Sequence, residues 1–186
     1  MTLKTYVLVM VCCVCLSCAG RKQPLDDYSE SQKSKLVERT AYNQADFSFW
    51  VAFYEPTVED LEGLRAAWIE HSQAFPESKT ISELRKEIEK ENQKVALVAL
   101  YMSAFENADL KNKSLGWSIA PVPFSVVELP EADAPLRILM PVNNNWARYF
   151  ILKYSPETWL SSPLLVISNP ASRVDLVKPT KVLVHP

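Results

Sequence analysis

The stretch that decides the fold is residues 95–102, Val-Ala-Leu-Val-Ala-Leu-Tyr-Met. Nearly every position is apolar, which is typical of a central strand that is buried on both faces. The alternative is that the preceding helix continues at helical spacing as far as Phe105. That helix is amphipathic only up to Lys94, so the loss of polar positions favours a change of element. The sequence therefore predicts a buried central strand.

A second strand is predicted upstream, at residues 47–54. Phe47, Phe49, Val51 and Phe53 alternate with a second set of side chains, and this period of two with aromatic and β-branched residues indicates a strand. Pro56 follows it and ends the element.

The segment between these strands, residues 57–94, predicts a helical insertion made of two helices. The first begins at Thr57-Val-Glu-Asp60, where a side-chain oxygen can cap the free N–H groups and acids lie at the positive end of the helix dipole. The second begins at Thr80-Ile-Ser-Glu83, which has the pattern of a capping box. Together they predict a helix pair.

The C-terminal part of the chain is divided into short apolar runs by turns. The chain has 13 prolines, most of them at or after Pro121, and proline is excluded from helix interiors and central strands. The runs predicted as strands are residues 115–119, 123–129, 136–140, 147–154, 163–168 and 173–177. The predicted fold class is mainly β, an antiparallel immunoglobulin-like β-sandwich of about eight short strands plus the helix pair.

The N-terminus has the pattern of a secretory signal peptide at residues 1–17. Lys4 precedes an unbroken apolar run from Tyr6 to Leu16, and small residues follow it. This run is shorter than the roughly 20 residues that a transmembrane helix needs. A secretory signal is therefore expected, and a membrane span is the weaker interpretation.

Cys18 is the predicted lipidation site. Leu16-Ser17-Cys18-Ala19 resembles a bacterial lipobox, and the four cysteines of the chain all lie at or before Cys18. Cleavage before Cys18 would leave a single cysteine at the first mature position, where it could carry a lipid and could form no internal disulfide. The expected location is the cell envelope, anchored at the outer membrane. Cleavage after Ala19, which gives a secreted protein, is the alternative.

Residues 18–39 are polar and charged, with isolated apolar residues only. Such a segment buries too little apolar surface to offset its ordering entropy, so it predicts a flexible tether. A single domain is then expected over residues 40–186, with the helical insertion at 57–94.

Several segments of the chain resemble a group of lipoproteins from delta-type proteobacteria. The segments that carry the resemblance are FWVAFYEP (49–56), VALYMSAFENADL (98–110), GWSI (116–119), LRILMP (136–141) and WARYFILKY (146–154). In that group a strand and helices precede a compact β domain. The resemblance covers residues 40–178 and implies a fold and a location, but no activity.

Composition argues against several functions. The net charge is −2, and no basic stripe is present, so no nucleic-acid partner is expected. Three glycines are too few for phosphate-binding loops, and no GxSxG motif occurs. The only histidines are His71 and His185, which gives no metal site of recognisable spacing. No catalytic residue, metal or cofactor is predicted.

The most unusual polar run is Asn143-Asn144-Asn145-Trp146, which lies between two predicted strands. Asparagine adopts turn conformations readily, so a tight connection is one interpretation. The other is a binding loop, because amides and an indole serve carbohydrate or peptide recognition. Trp50, Tyr54 and Trp159 are further aromatic candidates, although core packing is the usual fate of such residues.

The predicted function is a non-enzymatic binding or spacing module of the cell envelope. Its partners would be the membrane, through the lipid anchor, and an envelope protein, peptide or glycan. The alternative is a carboxylate-dependent hydrolase of envelope polymers. Its candidate acids are Glu55, Glu59, Asp60 and Glu62, but a helix start already explains their clustering.

Overall fold

The computed structural model of the protein describes residues 24–44, 46–129 and 132–178. The predicted signal peptide, Cys18 and His185 lie outside these residues. The helices are α1 (Pro24–Lys33), α2 (Val58–Ser72), α3 (Lys79–Ile88), α4 (Ala134–Leu139) and α5 (Pro156–Leu160). The strands are β1 (Val37–Asn43), β2 (Asp46–Tyr54), β3 (Lys94–Tyr101), β4 (Ser118–Ala120), β5 (Ser125–Glu128), β6 (Arg148–Tyr154), β7 (Leu164–Ser168) and β8 (Arg173–Val177).

The strands form two antiparallel sheets. The larger sheet has five strands in the order β1-β2-β3-β6-β5, and the smaller has three in the order β4-β7-β8. Every neighbouring pair is antiparallel, with Val98 of β3 opposite Phe53 of β2 on one side and Phe150 of β6 on the other. β3 is therefore the middle strand of the larger sheet.

The larger sheet is covered on both faces. On one face, Val98, Phe150 and their neighbours form a buried cluster with side chains of the smaller sheet such as Leu165. On the other face, Leu97 and Ile151 form a second buried cluster with the helices. Residues 95–100 of β3 are all buried, so the prediction of a central strand with two buried faces is confirmed.

The predicted fold class is confirmed in part: two antiparallel sheets with helices are present, but helices and strands contribute similar lengths of chain, so the fold is mixed. The predicted insertion is confirmed in position, since α2 and α3 fill the interval between β2 and β3. The helices that the sequence did not predict lie in segments that are polar or that contain only short apolar runs. These are α1, α4 and α5.

The prediction of a flexible tether over residues 18–39 is wrong from Pro24 onward. Residues 24–33 form α1, and β1 begins at Val37. Few apolar residues hold α1, but its polar groups find partners elsewhere in the fold. Tyr28 Oη donates to the Asp60 carbonyl oxygen at 2.6 Å, and Tyr54 Oη donates to Gln32 Oε1 at 2.8 Å. Residues 18–23 lie outside the described part of the chain.

The start of α2 is the one that the sequence predicts. Thr57 is the N-cap residue, its Oγ1 accepts the Asp60 N–H at 3.2 Å, and the Thr57 N–H donates to Asp60 Oδ2 at 2.9 Å.

α3 instead begins earlier than the predicted capping box at Thr80. Ser78 is its N-cap, because Ser78 Oγ accepts the Ile81 N–H at 3.0 Å and also donates to Asp133 Oδ2 at 2.6 Å.

Residues 136–140 were expected to form a strand, but residues 136–139 belong to α4 and Met140 is its C-cap. Asp133 caps this helix by accepting the Leu136 N–H at 3.1 Å, and Pro135 lies in the first turn, where proline favours helix. Leu136, Leu139 and Met140 are then all buried against the larger sheet. The remaining C-terminal strands lie within or close to their predicted runs.

Candidate functional site

The candidate site is an open cleft of about 650 Å³ at one end of the larger sheet. Three separate segments meet there: the loop after β3, the segment after β5, and the loop before β6. They contribute Phe105, Leu129 and Trp146, respectively, together with charged and polar neighbours. A concave site that combines aromatic rings with a few fixed polar groups is the usual form of a ligand-binding site.

The predicted binding loop is only partly in the cleft. Asn145 and Trp146 line it, whereas Asn143 and Asn144 are not among the lining residues. Asn144 shapes the loop, because its Oδ1 accepts the Trp146 N–H at 2.9 Å in the manner of an Asx turn. Asn145 Oδ1 accepts a hydrogen bond from Arg137 Nη1 at 3.2 Å. The turn interpretation and the binding-loop interpretation thus describe different residues of one segment.

Two aromatic side chains in the cleft face solvent. Trp146 is 73% exposed and Phe105 is 52% exposed, although burial is the usual state of such large apolar groups. Sequence reasoning found Trp146 but missed Phe105. The available signal was an isolated aromatic residue at the start of an otherwise polar run that reaches Ser114.

Phe105 is held in place by its loop. It opens a short 3-10 segment, Phe105–Asn107, and the Asn107 carbonyl oxygen accepts the Trp117 indole N–H at 2.9 Å. The guanidinium carbon of Arg148 lies 5.5 Å from the centre of the Phe105 ring, a distance at which the cation and the ring attract each other. The ring is thus positioned before any ligand binds.

Two charged residues that line the cleft, Glu128 and Arg148, belong to a network that extends beyond it to Lys111 and Asp109. Arg148 Nε donates to Glu128 Oε1 at 2.7 Å, and Lys111 Nζ lies 2.7 Å from Glu128 Oε2. Arg148 Nη2 also lies 3.5 Å from Asp109 Oδ2. Burial alone would raise the pKa of Glu128, but the hydrogen bonds from Lys111 and Arg148 outweigh it and hold that pKa below its usual value. Glu128 is therefore ionised, and both of its oxygens are occupied.

The carboxylates considered for hydrolysis lie elsewhere. Glu55, Glu59 and Asp60 line a second cleft, of about 530 Å³, beside the start of α2. Asp60 is buried, accepts hydrogen bonds from Thr57 and forms an ion pair with Lys35. Burial would raise the pKa of Asp60, but Lys35 and the surrounding hydroxyl and amide donors lower it overall. Glu62 instead pairs with Arg85 at 3.2 Å.

Two tyrosines beside Asp60 are also structural. Tyr54 and Tyr28 have raised pKa values, in each case because burial disfavours the phenolate and the Asp60 charge adds to that effect. Tyr54 was a candidate for the surface, but it is buried. Both hydroxyls donate to protein acceptors, so Tyr28 links α1 to α2 and Tyr54 links β2 to α1.

Lys178 is an unexpected buried cation. Its ammonium group donates to the Trp159 carbonyl oxygen and lies 4.0 Å from the centre of the Trp159 ring. Burial lowers the pKa of Lys178, and the charge of Glu55 partly opposes that effect. Trp159, the other aromatic surface candidate, is buried, whereas Trp50 is half-buried.

His71 lies on the exposed side of α2. Among residues 24–44, 46–129 and 132–178, no three His, Cys, Asp or Glu side chains are grouped so that they could hold a metal ion.

Comparison with known proteins gave no match to a family model, a curated protein or a solved structure. Within the part of the chain that the structure describes, no helix is both long enough and apolar enough to cross a membrane.

Proposed function

We propose that this protein is a binding module of the cell envelope, anchored through a lipid on Cys18 and acting through the cleft that contains Phe105 and Trp146. The observation that carries the proposal is the exposure of both rings in a cleft of about 650 Å³ built by three loops. Exposing large aromatic groups costs solvation free energy that burial would recover, so such sites commonly mark binding surfaces.

The order of the strands supports an immunoglobulin-like sandwich. In the constant-type immunoglobulin fold, one sheet has the order A-B-E-D and the other C-F-G. Here β2-β3-β6-β5 and β4-β7-β8 have the corresponding orders, with β1 as an added edge strand. The helical insertion then occupies the A–B connection.

This correspondence also supports the choice of site. Loops of immunoglobulin-like sandwiches cluster at the two ends, and one such cluster forms the binding surface of antibody variable domains. The cleft lies between the loops that correspond to B–C and D–E. The F–G loop approaches the same end, because Pro170 lies so near Gly116, which has a φ of 69°, that a Cβ there would meet its ring at 2.8 Å.

The chemistry of the cleft favours binding over hydrolysis. A glycosidase needs one carboxylic acid that is protonated at working pH and a second carboxylate suitably placed. Glu128 has a lowered pKa and is already bonded to Lys111 and Arg148, so it is a poor proton donor. Glu106 is the other acid of the cleft.

Binding is tested with purified full chain in a zwitterionic detergent and washed cell-envelope fragments, with co-sedimentation as the measurement. Trp146→Ala and Phe105→Ala should each weaken the association by about tenfold, as for an exposed aromatic hot spot. Leu160→Ala is the matched control, because Leu160 is 77% exposed but lies outside the cleft. Equal association of the Trp146→Ala variant and the parent chain would refute the proposal.

The same mixtures test the absence of catalysis. Soluble fragments released from the envelope polymer should not increase with time above a protein-free control. Release that disappears in Glu106→Gln while binding persists would instead favour the hydrolase.

The lipid anchor is tested separately. Cys18→Ser should abolish fatty-acid labelling and release the protein from the membrane fraction. A labelled Cys18→Ser variant, or a mature N-terminus beyond residue 18, would contradict it.

A further inference from the structure

We propose that the ligand of the cleft is a glycan chain with little net charge. This inference rests on the proposed function, since it names the class of ligand that the same cleft binds. Four features of the lining residues carry it: the two rings, the free polar groups, the balance of charge, and the occupied backbone donors.

The exposed faces of Trp146 and Phe105 fit a sugar ring. The face of an aromatic ring carries negative electrostatic potential, so it attracts weakly positive C–H groups as well as apolar surface. One face of a pyranose presents C–H groups while its edge carries hydroxyls. Two such platforms, from different loops that line one open cleft, suit a chain of sugars better than an isolated one.

The polar groups beside the rings keep hydrogen-bonding capacity for vicinal hydroxyls. Asn145 uses one lone pair of Oδ1 to accept from Arg137, which leaves its two amide N–H donors. Arg137 bonds the Ala132 carbonyl through Nε at 3.0 Å and Asn145 through Nη1, and its Nη2 remains. Glu106 adds an acceptor carboxylate to the lining. Planar groups of this kind can each contact two adjacent hydroxyls.

The charged residues that line the cleft are balanced, since Arg137 and Arg148 are matched by Glu106 and Glu128. Arg148 is paired with Glu128 and, outside the lining, with Asp109, and the other oxygen of Glu128 pairs with Lys111. A polyanionic ligand would therefore meet as many carboxylates as cations along the cleft. This favours a ligand whose recognition depends on hydroxyl or amide groups.

The backbone of the cleft is poorly suited to an extended peptide. Peptides often bind by adding a strand, which requires free main-chain donors and acceptors. Here the Trp146 N–H donates to Asn144 Oδ1, the Ala147 N–H to the Asn144 carbonyl, and the Leu129 N–H to the Tyr149 carbonyl. Contacts with the ligand must therefore be made by side chains, as in a glycan-binding site.

The test uses purified full chain in a zwitterionic detergent, because sugar-headed detergents would compete for the cleft. The probes are linear tetrasaccharides of β-linked glucose, α-linked glucose and β-linked N-acetylglucosamine, with binding followed by calorimetry and by tryptophan fluorescence. At least one should bind. Trp146→Ala and Asn145→Ala should each weaken that binding by about tenfold, whereas Leu160→Ala should leave it unchanged.

The outcomes separate this inference from the proposed function. If no tetrasaccharide binds while association with envelope fragments still depends on Trp146, the ligand is of another class and the glycan inference fails alone. The same holds if only a peptide released from the envelope binds. If association with the envelope does not depend on Trp146 or Phe105, the proposed function fails and the inference fails with it. Far-ultraviolet circular dichroism and thermal unfolding establish that each variant is folded.

Discussion

At the scale of single residues, Asp60 links the N-terminal segment to the rest of the fold. Its carboxylate accepts the Thr57 N–H at 2.9 Å at the start of α2 and pairs with Lys35, which lies between α1 and β1. The side chain is only 6% exposed. A buried carboxylate is stable when several donors surround it, and it is costly when one of them is lost.

We therefore predict that Asp60→Asn lowers the free energy of unfolding by about 1–3 kcal/mol, because the charge that holds Lys35 and the helix cap is removed. Urea unfolding measures the change. Glu62→Gln is the control: the Glu62 side chain is 62% exposed and pairs with Arg85 on the surface, so its loss should cost less than about 1 kcal/mol. Equal effects of the two variants would contradict the structural role of Asp60.

Glu87 gives a prediction about pH. Burial would raise its pKa, but hydrogen bonds from Lys90, Gln93 and Lys153 lower it from 4.5 to about 2. A lowered pKa in the folded state means that the stabilisation is present above pH 4.5 and is lost as the pH falls towards 2. Glu87→Gln should thus destabilise the protein at neutral pH but not near pH 2. An equal destabilisation at both pH values, by chemical unfolding, would contradict this.

At the scale of elements, β3 determines the architecture because it is buried on both faces and paired on both edges. Its neighbours are β2 and β6, and its side chains enter both buried clusters. The strand β5 differs in both respects, because it lies at the edge of the sheet and its Val127 is 36% exposed.

We predict that amide hydrogen exchange is slowest in β3 and markedly faster in β5, because a doubly paired strand opens only when the sheet does. Leu97→Ala should cost about 2–5 kcal/mol, as expected for a buried leucine at a site that cannot collapse freely. Val127→Ala should cost much less, since the edge position is partly exposed. Exchange in β3 as fast as in β5 would contradict the central position of β3.

At the scale of the whole molecule, the two buried clusters share the larger sheet. β2, β3 and β6 send alternate side chains into the cluster beside the smaller sheet and into the cluster beside the helices. Neither cluster can lose its packing without exposing one face of that sheet.

Unfolding should accordingly be a single cooperative transition. Leu84→Ala, on the helix side, and Leu165→Ala, beside the smaller sheet, should each shift it as a whole. Near- and far-ultraviolet circular dichroism, recorded together through denaturation, should give coincident curves. Two separated transitions in either variant would show that the layers unfold independently.

The sequence by itself determined the features that depend on local pattern. Residues 95–102 are almost all apolar, a pattern that favours a strand with two covered faces over a continued amphipathic helix. Thr57 and Asp60 are close enough in the chain to form the capping box of α2 without help from distant residues. Trp146 was recognised as part of a loop for the same local reason.

Only the tertiary structure decided the rest, because the interactions concerned join residues that are distant in sequence. α1 and the start of β1 lie in the segment that was predicted to be a tether, and they are held through Tyr28, Lys35 and pairing with β2. The cleft depends on the same effect, since the ring of Phe105 and the indole of Trp146 belong to loops that only the folded sheet brings together. The sequence pattern shows which residues are apolar. The free energy of a contact depends, in addition, on which partner the fold places beside each residue.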